Sequence, residues 1–367
     1  MQRSLHLLVA GAVALAVVAC GSDDSTSSST DATTDGSTEP TPPAESTTES
    51  VPSTDGESAE SAESTVSTPA GAEPDTAGFP ATVETAFGEV TVDEQPERVV
   101  ALGWGDAETA LALGVQPVGA ADWLGFGGEG VGPWAAGLYD APPELITVAE
   151  TPYEAIAALD PDLILNVRSG GDAAEHDLLT EIAPTIGIPE GGDAFLTSQE
   201  QQVTMIAAAL GQPEAGQALL DEIDAQFEAV RDAHPDWAGQ TVSAATRFGD
   251  QWGAYVDGEG RLEFLKSLGF EQNPAVAELD ASGGFYAELS GEELNVLDAD
   301  LIVAFPIQIE TTEITGDPIF GQIPAVADGR SVIVDGDLSD AYSINTTLST
   351  AYTLENIVPL ISEAIDR

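Results

Sequence analysis

The sequence predicts an α/β fold made of two lobes, each a largely parallel sheet covered by helices, joined by one long helix. Three observations lead there. From Phe79 onward, short apolar runs alternate with longer stretches of helical periodicity, as in β–α units feeding a parallel sheet. The stretch Pro213–His234 keeps helical spacing without interruption, and at about 1.5 Å per residue it would span roughly 33 Å. Finally, the phrase "EAIAALDPDLIL" at Glu154–Leu165 returns as "EELNVLDADLIV" at Glu292–Val303, once on each side of that stretch.

Taken in order, "RVVAL" (Arg98–Leu102) reads as a buried strand, followed by a helical "DAETALALG" that closes on Gly114. "QPVGA" is a second strand candidate. "DLILNV" (Asp162–Val167) is a third, followed by a helical "DAAEHDLLTEIA" and then by "PTIGIP". "SQEQQVTMIAAALG" is a helix ending at Gly211, and Pro213 suits the first turn of the long helix. The α/β pattern then restarts: strands "TVSAAT" and "WGAYV", helix "RLEFLKSLG", strands "DLIVAF" and "SVIVD", and a last helix from about Asn345 to Ile365. Each copy of the repeated phrase is thus a short helix feeding a strand. The expected divisions are 79–211 for the first lobe, 212–236 for the joining helix and 237–367 for the second lobe.

The residues before Phe79 are of another kind. Residues 1–19 place Arg3 before the apolar run Leu7–Ala19, which is too short to span a bilayer comfortably and reads as an export signal. The run ends "VVAC", similar to the lipobox of bacterial lipoproteins, in which the cysteine carries the lipid. Cys20 is the chain's one cysteine, so lipidation there is expected and an intrachain disulfide is excluded. Residues 20–78 are rich in Ser, Thr and Pro, and carry thirteen acids and no base after Cys20. That composition cannot build a core and reads as a disordered tether.

The formal net charge is −55, with 9 basic against 64 acidic residues. Nucleic acid is excluded as a partner, because gripping a phosphate backbone takes clustered Lys and Arg. So large a charge opposes self-association and suits a soluble monomer. Of three histidines, His6 lies in the signal, and His176 and His234 fall on predicted helix faces, where solvation is expected. No cluster of histidines and carboxylates suggests a metal site, and no G-x-S-x-G elbow suggests a hydrolase.

"ERVVALGWGDAETALALGVQPVGAADW", "YEAIAALDPDLILNVRSGGD" and "EITGDPIFGQIPAVADGRSVIV" resemble the substrate-binding lipoproteins of iron-siderophore ABC importers, actinobacterial type. The resemblance covers residues 79 to 367. It implies two Rossmann-like lobes of the class III periplasmic-binding-protein type and capture of a ferric siderophore in the interlobe cleft. It also implies delivery to a membrane permease, with no catalysis and no cofactor. Iron would enter only as part of the cargo. In that family a glutamate on each lobe docks to the permease; position by position these are Glu154 and Glu292. "TPYE" and "SGEE" also read as helix capping boxes, which would make Glu293 the second equivalent.

Ligands of open α/β sheets sit beyond the carboxyl ends of strands. "GWGD", "RSGGD" and "RFGD" fall there, which places Trp104, Asp106, Arg168 and Arg247 at the cleft. Opposed guanidinium groups suit the oxygens of an iron chelate. Trp123, Trp252, Tyr255 and Tyr342 complete the expected set. Cobalamin or haem as ligand stays open, as does an envelope or sensor role without transport; a secreted hydrolase is the least supported alternative.

Overall fold

The computed structural model describes residues 78–281 and 284–365. The export signal, Cys20 and all of the tether but Gly78 lie outside them. A hairpin comes first, β1 (Ala81–Thr85) and β2 (Gly88–Val92), paired antiparallel. Its first strand buries alternate residues, as a half-buried strand must.

The N-terminal lobe follows with β3 (Val99–Ala101), α1 (Asp106–Ala112), β4 (Gly119–Ala121), β5 (Glu144–Ile146), α2 (Tyr153–Ala158), β6 (Leu163–Leu165), α3 (Ala173–Thr180) and β7 (Thr185–Ile186). Its five strands are all parallel, in the order β5-β4-β3-β6-β7. The central strands are apolar throughout and buried on both faces. α4 (Gln199–Ala209) starts with a complete Ser198–Gln201 capping box. α5 (Pro213–Ala233) then carries Pro213 in its first turn and leads to the second sheet.

The C-terminal lobe contains β8 (Thr241–Phe248), β9 (Gln251–Tyr255), α6 (Gly260–Ser267), β10 (Glu271–Gln272), α7 (Pro274–Ala277), β11 (Tyr286–Leu289), β12 (Leu301–Ile307), α8 (Thr311–Thr315), α9 (Pro324–Ala327), β13 (Ser331–Ile333) and α10 (Gly336–Ile344). Its sheet runs β11-β9-β8-β12-β13, with β10 beside the start of β8. β9 pairs antiparallel with both β8 and β11, so this sheet is mixed where an α/β restart suggested parallel strands. The last helix, α11 (Thr347–Ile365), packs on β12 and β13, on α5, and on α1 and the turn Pro133–Ala135 of the other lobe.

The repeated phrase does the same job twice. In the first copy Ile156 is buried, and in the second Leu294 and Leu297 are. The second aspartate of each copy caps the opening strand of its lobe. Asp162 accepts the N–H groups of Glu97 and Arg98 at 2.7 and 2.9 Å. Asp300 accepts the N–H and hydroxyl of Thr241, both at 2.8 Å. The starts of the copies differ. Ser290 and Glu293 form the expected capping box, on a 3₁₀ rather than an α-helix. Thr151 caps nothing at α2, whose N-cap position is Pro152. Glu154 and Glu292 are both exposed in the first turns of their helices.

One histidine departs from expectation. His176 is buried, its ring stacked 4.0 Å from that of Phe87, and burial pushes its pKa down. It faces inward because α3 turns it towards the hairpin rather than the solvent. His234 is half-buried, stacked 4.1 Å from Trp237. Among the described residues no helix is long and apolar enough to cross a membrane, and no three His, Cys, Asp or Glu side chains converge to hold a metal.

Candidate functional site

A cavity of about 240 Å³ lies between the lobes. Trp104, Trp123, Arg168 and Phe195 line it from the N-terminal lobe. The loops carrying them are cross-tied. Trp104 N–H donates to the Arg168 carbonyl at 2.8 Å, and Phe195 N–H donates to the Ser169 carbonyl at 2.8 Å. The Thr197 hydroxyl holds the Val167 carbonyl at 2.9 Å. The Trp123 indole N–H is fixed to the Leu102 carbonyl at 2.9 Å. Its ring lies 5.5 Å from Trp104 and 5.8 Å, edge to face, from Phe195. The result is an aromatic wall with one guanidinium at its base.

Asp106 does not line this cavity; it stands behind it. Its carboxylate accepts Val167 N–H at 2.8 Å and the Gln202 amide at 2.7 Å, which sets the loop that presents Arg168. Burial raises its pKa to about 6, against the pull of those hydrogen bonds. Arg168 is itself buried, and desolvation lowers its pKa to about 10, so it remains a cation at neutral pH.

From the C-terminal lobe come Glu259, Arg261, Phe285 and Ser343. The Glu259 carboxylate accepts Arg261 N–H at 2.8 Å and its Nη1 at 2.5 Å. The Arg261 guanidinium lies 4.7 Å over the Tyr255 ring and 5.2 Å over Phe305. The Tyr342 hydroxyl donates to the Arg261 carbonyl at 2.9 Å. Tyr255 and Tyr342 therefore support the site from beneath without reaching its surface; both are core residues.

Arg247 and Trp252 require correction. They oppose each other across β8 and β9, and alternation along the strands puts both on the sheet face away from Tyr255 and Phe305. There Trp252 stacks 4.8 Å from Phe320. Arg247 bridges Asp317 at 3.1 Å and the Glu313 carbonyl. The pair clamps α8 and the turn after it to the sheet, and neither lines the interlobe cavity.

Arg261 takes the place expected for Arg247. A signal was available in the sequence: Arg261 sits in the first turn of a helix, where the macrodipole disfavours a cation, in a chain with few cations to place. Phe195 and Phe285 follow the glycine pairs of "GGDAF" and "GGF", large aromatics just after small, flexible residues.

The lobes meet through hydrogen bonds at the α10–α11 junction. Arg168 Nη1 donates to the Ile344 carbonyl at 3.1 Å, and Trp104 Nε1 donates to the Ser343 carbonyl at 3.3 Å. Gln199 Nε2 reaches the Thr350 hydroxyl at 2.8 Å. The Thr346 hydroxyl donates to the buried Glu108 carboxylate at 2.6 Å, whose pKa is raised by burial. Asn345, at φ 52°, makes the turn between α10 and α11.

This chain is similar to several known proteins. A probable siderophore-binding lipoprotein of Bacillus subtilis is 25% identical over 278 residues, 69% of this chain and 80% of that protein. The pneumococcal iron-uptake binding protein PiaA, solved in complex with ferrichrome, superposes with a TM-score of 0.68 at 26% identity, covering 78% of this chain and 99% of that one. A periplasmic solute-binding protein of Mycobacterium smegmatis gives 0.69 at 28% identity, covering 78% and 98%. The profile of the periplasmic binding protein family matches residues 99–338, most of both lobes; the chain belongs to that family.

Proposed function

We propose that this protein is an extracytoplasmic lipoprotein that captures a ferric siderophore between its lobes and hands it to an ABC importer. The observation that carries the reading is the pair of buried arginines, Arg168 and Arg261, facing one cavity from opposite lobes beneath an aromatic wall. Glu259 offsets one of the two charges, which leaves a cavity suited to an anionic or strongly polarised ligand with planar parts. The relatives add support: one is named for siderophore binding and another was solved with ferrichrome. The iron would travel enclosed in its chelator, and the protein contributes shape and charge with no bond-making step. Lipidation at Cys20 would hold it at the membrane as a monomer, and exposed Glu154 and Glu292 would meet the permease.

The test is a tryptophan-fluorescence titration of the purified protein with a ferric hydroxamate, a ferric catecholate, ferric citrate, cobalamin and haemin, with iron-free chelators as controls. Trp104 and Trp123 report directly on the cavity. Sub-micromolar saturation by one ferric chelate is expected; no saturation by any of them overturns the reading. Docking is tested separately. Glu154→Ala with Glu292→Ala should abolish transporter-dependent uptake while leaving ligand affinity unchanged, and intact uptake would sink the assignment.

A further inference from the structure

The interlobe cavity, at about 240 Å³, is smaller than the roughly 300–1,000 Å³ usual for small-molecule sites. A second cavity of about 180 Å³ adjoins it inside the N-terminal lobe, and Trp123 and Phe195 line both. Its floor is formed by the carboxyl ends of neighbouring parallel strands: Leu102 follows β3, Ala121 ends β4, Ile146 ends β5 and Asn166 follows β6. The chain builds outward from β3 to β5 on one side and from β6 to β7 on the other, so the strand order reverses between β3 and β6. Such a reversal is where open parallel sheets bind ligands.

The two cavities differ in charge. Two guanidiniums face the first, whereas among the described residues no cation lines the second. Its polar groups include the carboxylate of Glu175 and the side chains of Asn166 and Thr151. The Asn166 amide donates to Glu175 Oε1 over a long 3.4 Å, and Thr151 lines the same cavity. A carboxylate accepts more hydrogen bonds than this. Partial burial raises the pKa of Glu175, and a donor placed against it would stabilise the ionised form.

We propose that the second cavity is a subsite for a hydrogen-bond-donating arm, an ammonium or hydroxyl group, of a ligand whose anionic iron-binding portion sits between Arg168 and Arg261. The inference rests on the function proposed above and narrows it to chelators of mixed character. The Trp123–Phe195 pair, which lines both cavities, then stands between the two ends of one ligand.

The experiment titrates the full chain with two ferric chelates: a citrate-type carboxylate chelator bearing one primary-amine arm, and the same chelator with that amine acetylated. The amine form is expected to bind about tenfold more tightly. Glu175→Gln should erase the difference by weakening the amine form alone. Equal affinities in the wild type, or a preference that survives Glu175→Gln, would overturn the subsite. The wild-type comparison needs no variant, so it stands whatever the substitution does to folding. If neither chelate binds while another ferric chelate does, the ligand class named here falls and siderophore capture stands. If no ferric chelate binds, both fall.

Discussion

In the N-terminal lobe, the strand after the repeated phrase runs straight into the site: β6 ends at Leu165, and Arg168 is three residues beyond. In the C-terminal lobe, the matching strand β12 delivers Phe305 to the core beneath the site, and the arginine comes from the start of α6 instead. The scaffolds agree down to the capping aspartates Asp162 and Asp300. The functional side chains do not follow them. A duplicated phrase therefore fixes where the sheets lie, while each lobe solves separately how a cation reaches the cleft. One lobe presents its arginine on a loop backed by the acid Asp106; the other braces it with a carboxylate, Glu259, and two aromatic rings.

The sharpest way to break this comparison is to remove the arginines singly. Arg168→Ala and Arg261→Ala should each weaken ligand binding by a hundredfold or so, since truncating one side of a buried charged contact costs about 2–5 kcal/mol. Arg247→Ala should lower the melting temperature and leave affinity within about twofold, as it only clamps α8. If Arg247→Ala abolished binding and Arg261→Ala did not, the placement of the two would be reversed.

A smaller effect separates the buried acids. Asp106 has a folded-state pKa near 6, above its ordinary 3.8, so the folded protein holds a proton that the unfolded chain releases. Its contribution to stability therefore falls as pH rises from about 4 to about 6 and is constant beyond. The span is on the order of 2–3 kcal/mol. Asp106→Asn should flatten that slope in denaturant melts taken between pH 4 and 7; an unchanged slope would assign it to other groups.

The smallest effect concerns the caps. Asp162→Ala and Asp300→Ala each free two donors at the start of a central strand. Both should lower the melting temperature by a few degrees, by similar amounts. A large inequality would show that the two copies have parted in more than their site residues.

How much of this was legible beforehand follows from the same contrast. The parallel strands β3, β4, β6, β8, β12 and β13 announced themselves as apolar runs, whereas the partly exposed β5 and β10 did not; α4 and α5 stood out as long periodic stretches with Ser198 and Pro213 at their starts. The hairpin Ala81–Val92 went unread although its alternation was present. β9 and β11 joined the second sheet antiparallel, and no local pattern dictates strand direction. Arg168 was readable because it follows its strand directly. Arg247 misled because placing it at a strand end was not enough: which face it points to depends on a register of one residue. Arg261, Phe195 and Phe285 reach the cavity through tertiary packing between segments far apart in sequence, which no short window contains.

The seam at the α10–α11 junction has a consequence for how the molecule assembles. Glu108 and Thr346 are 238 residues apart, and Trp104 and Ser343 are 239 apart. Contacts of such long range cost more chain entropy to close than local ones. During synthesis the N-terminal lobe must wait for α11 before α1 and the turn Pro133–Ala135 find their partner. The cleft needs both lobes in place, since Arg168 comes from one and Arg261 from the other, so a partly folded chain holds no complete site with which to sequester cargo.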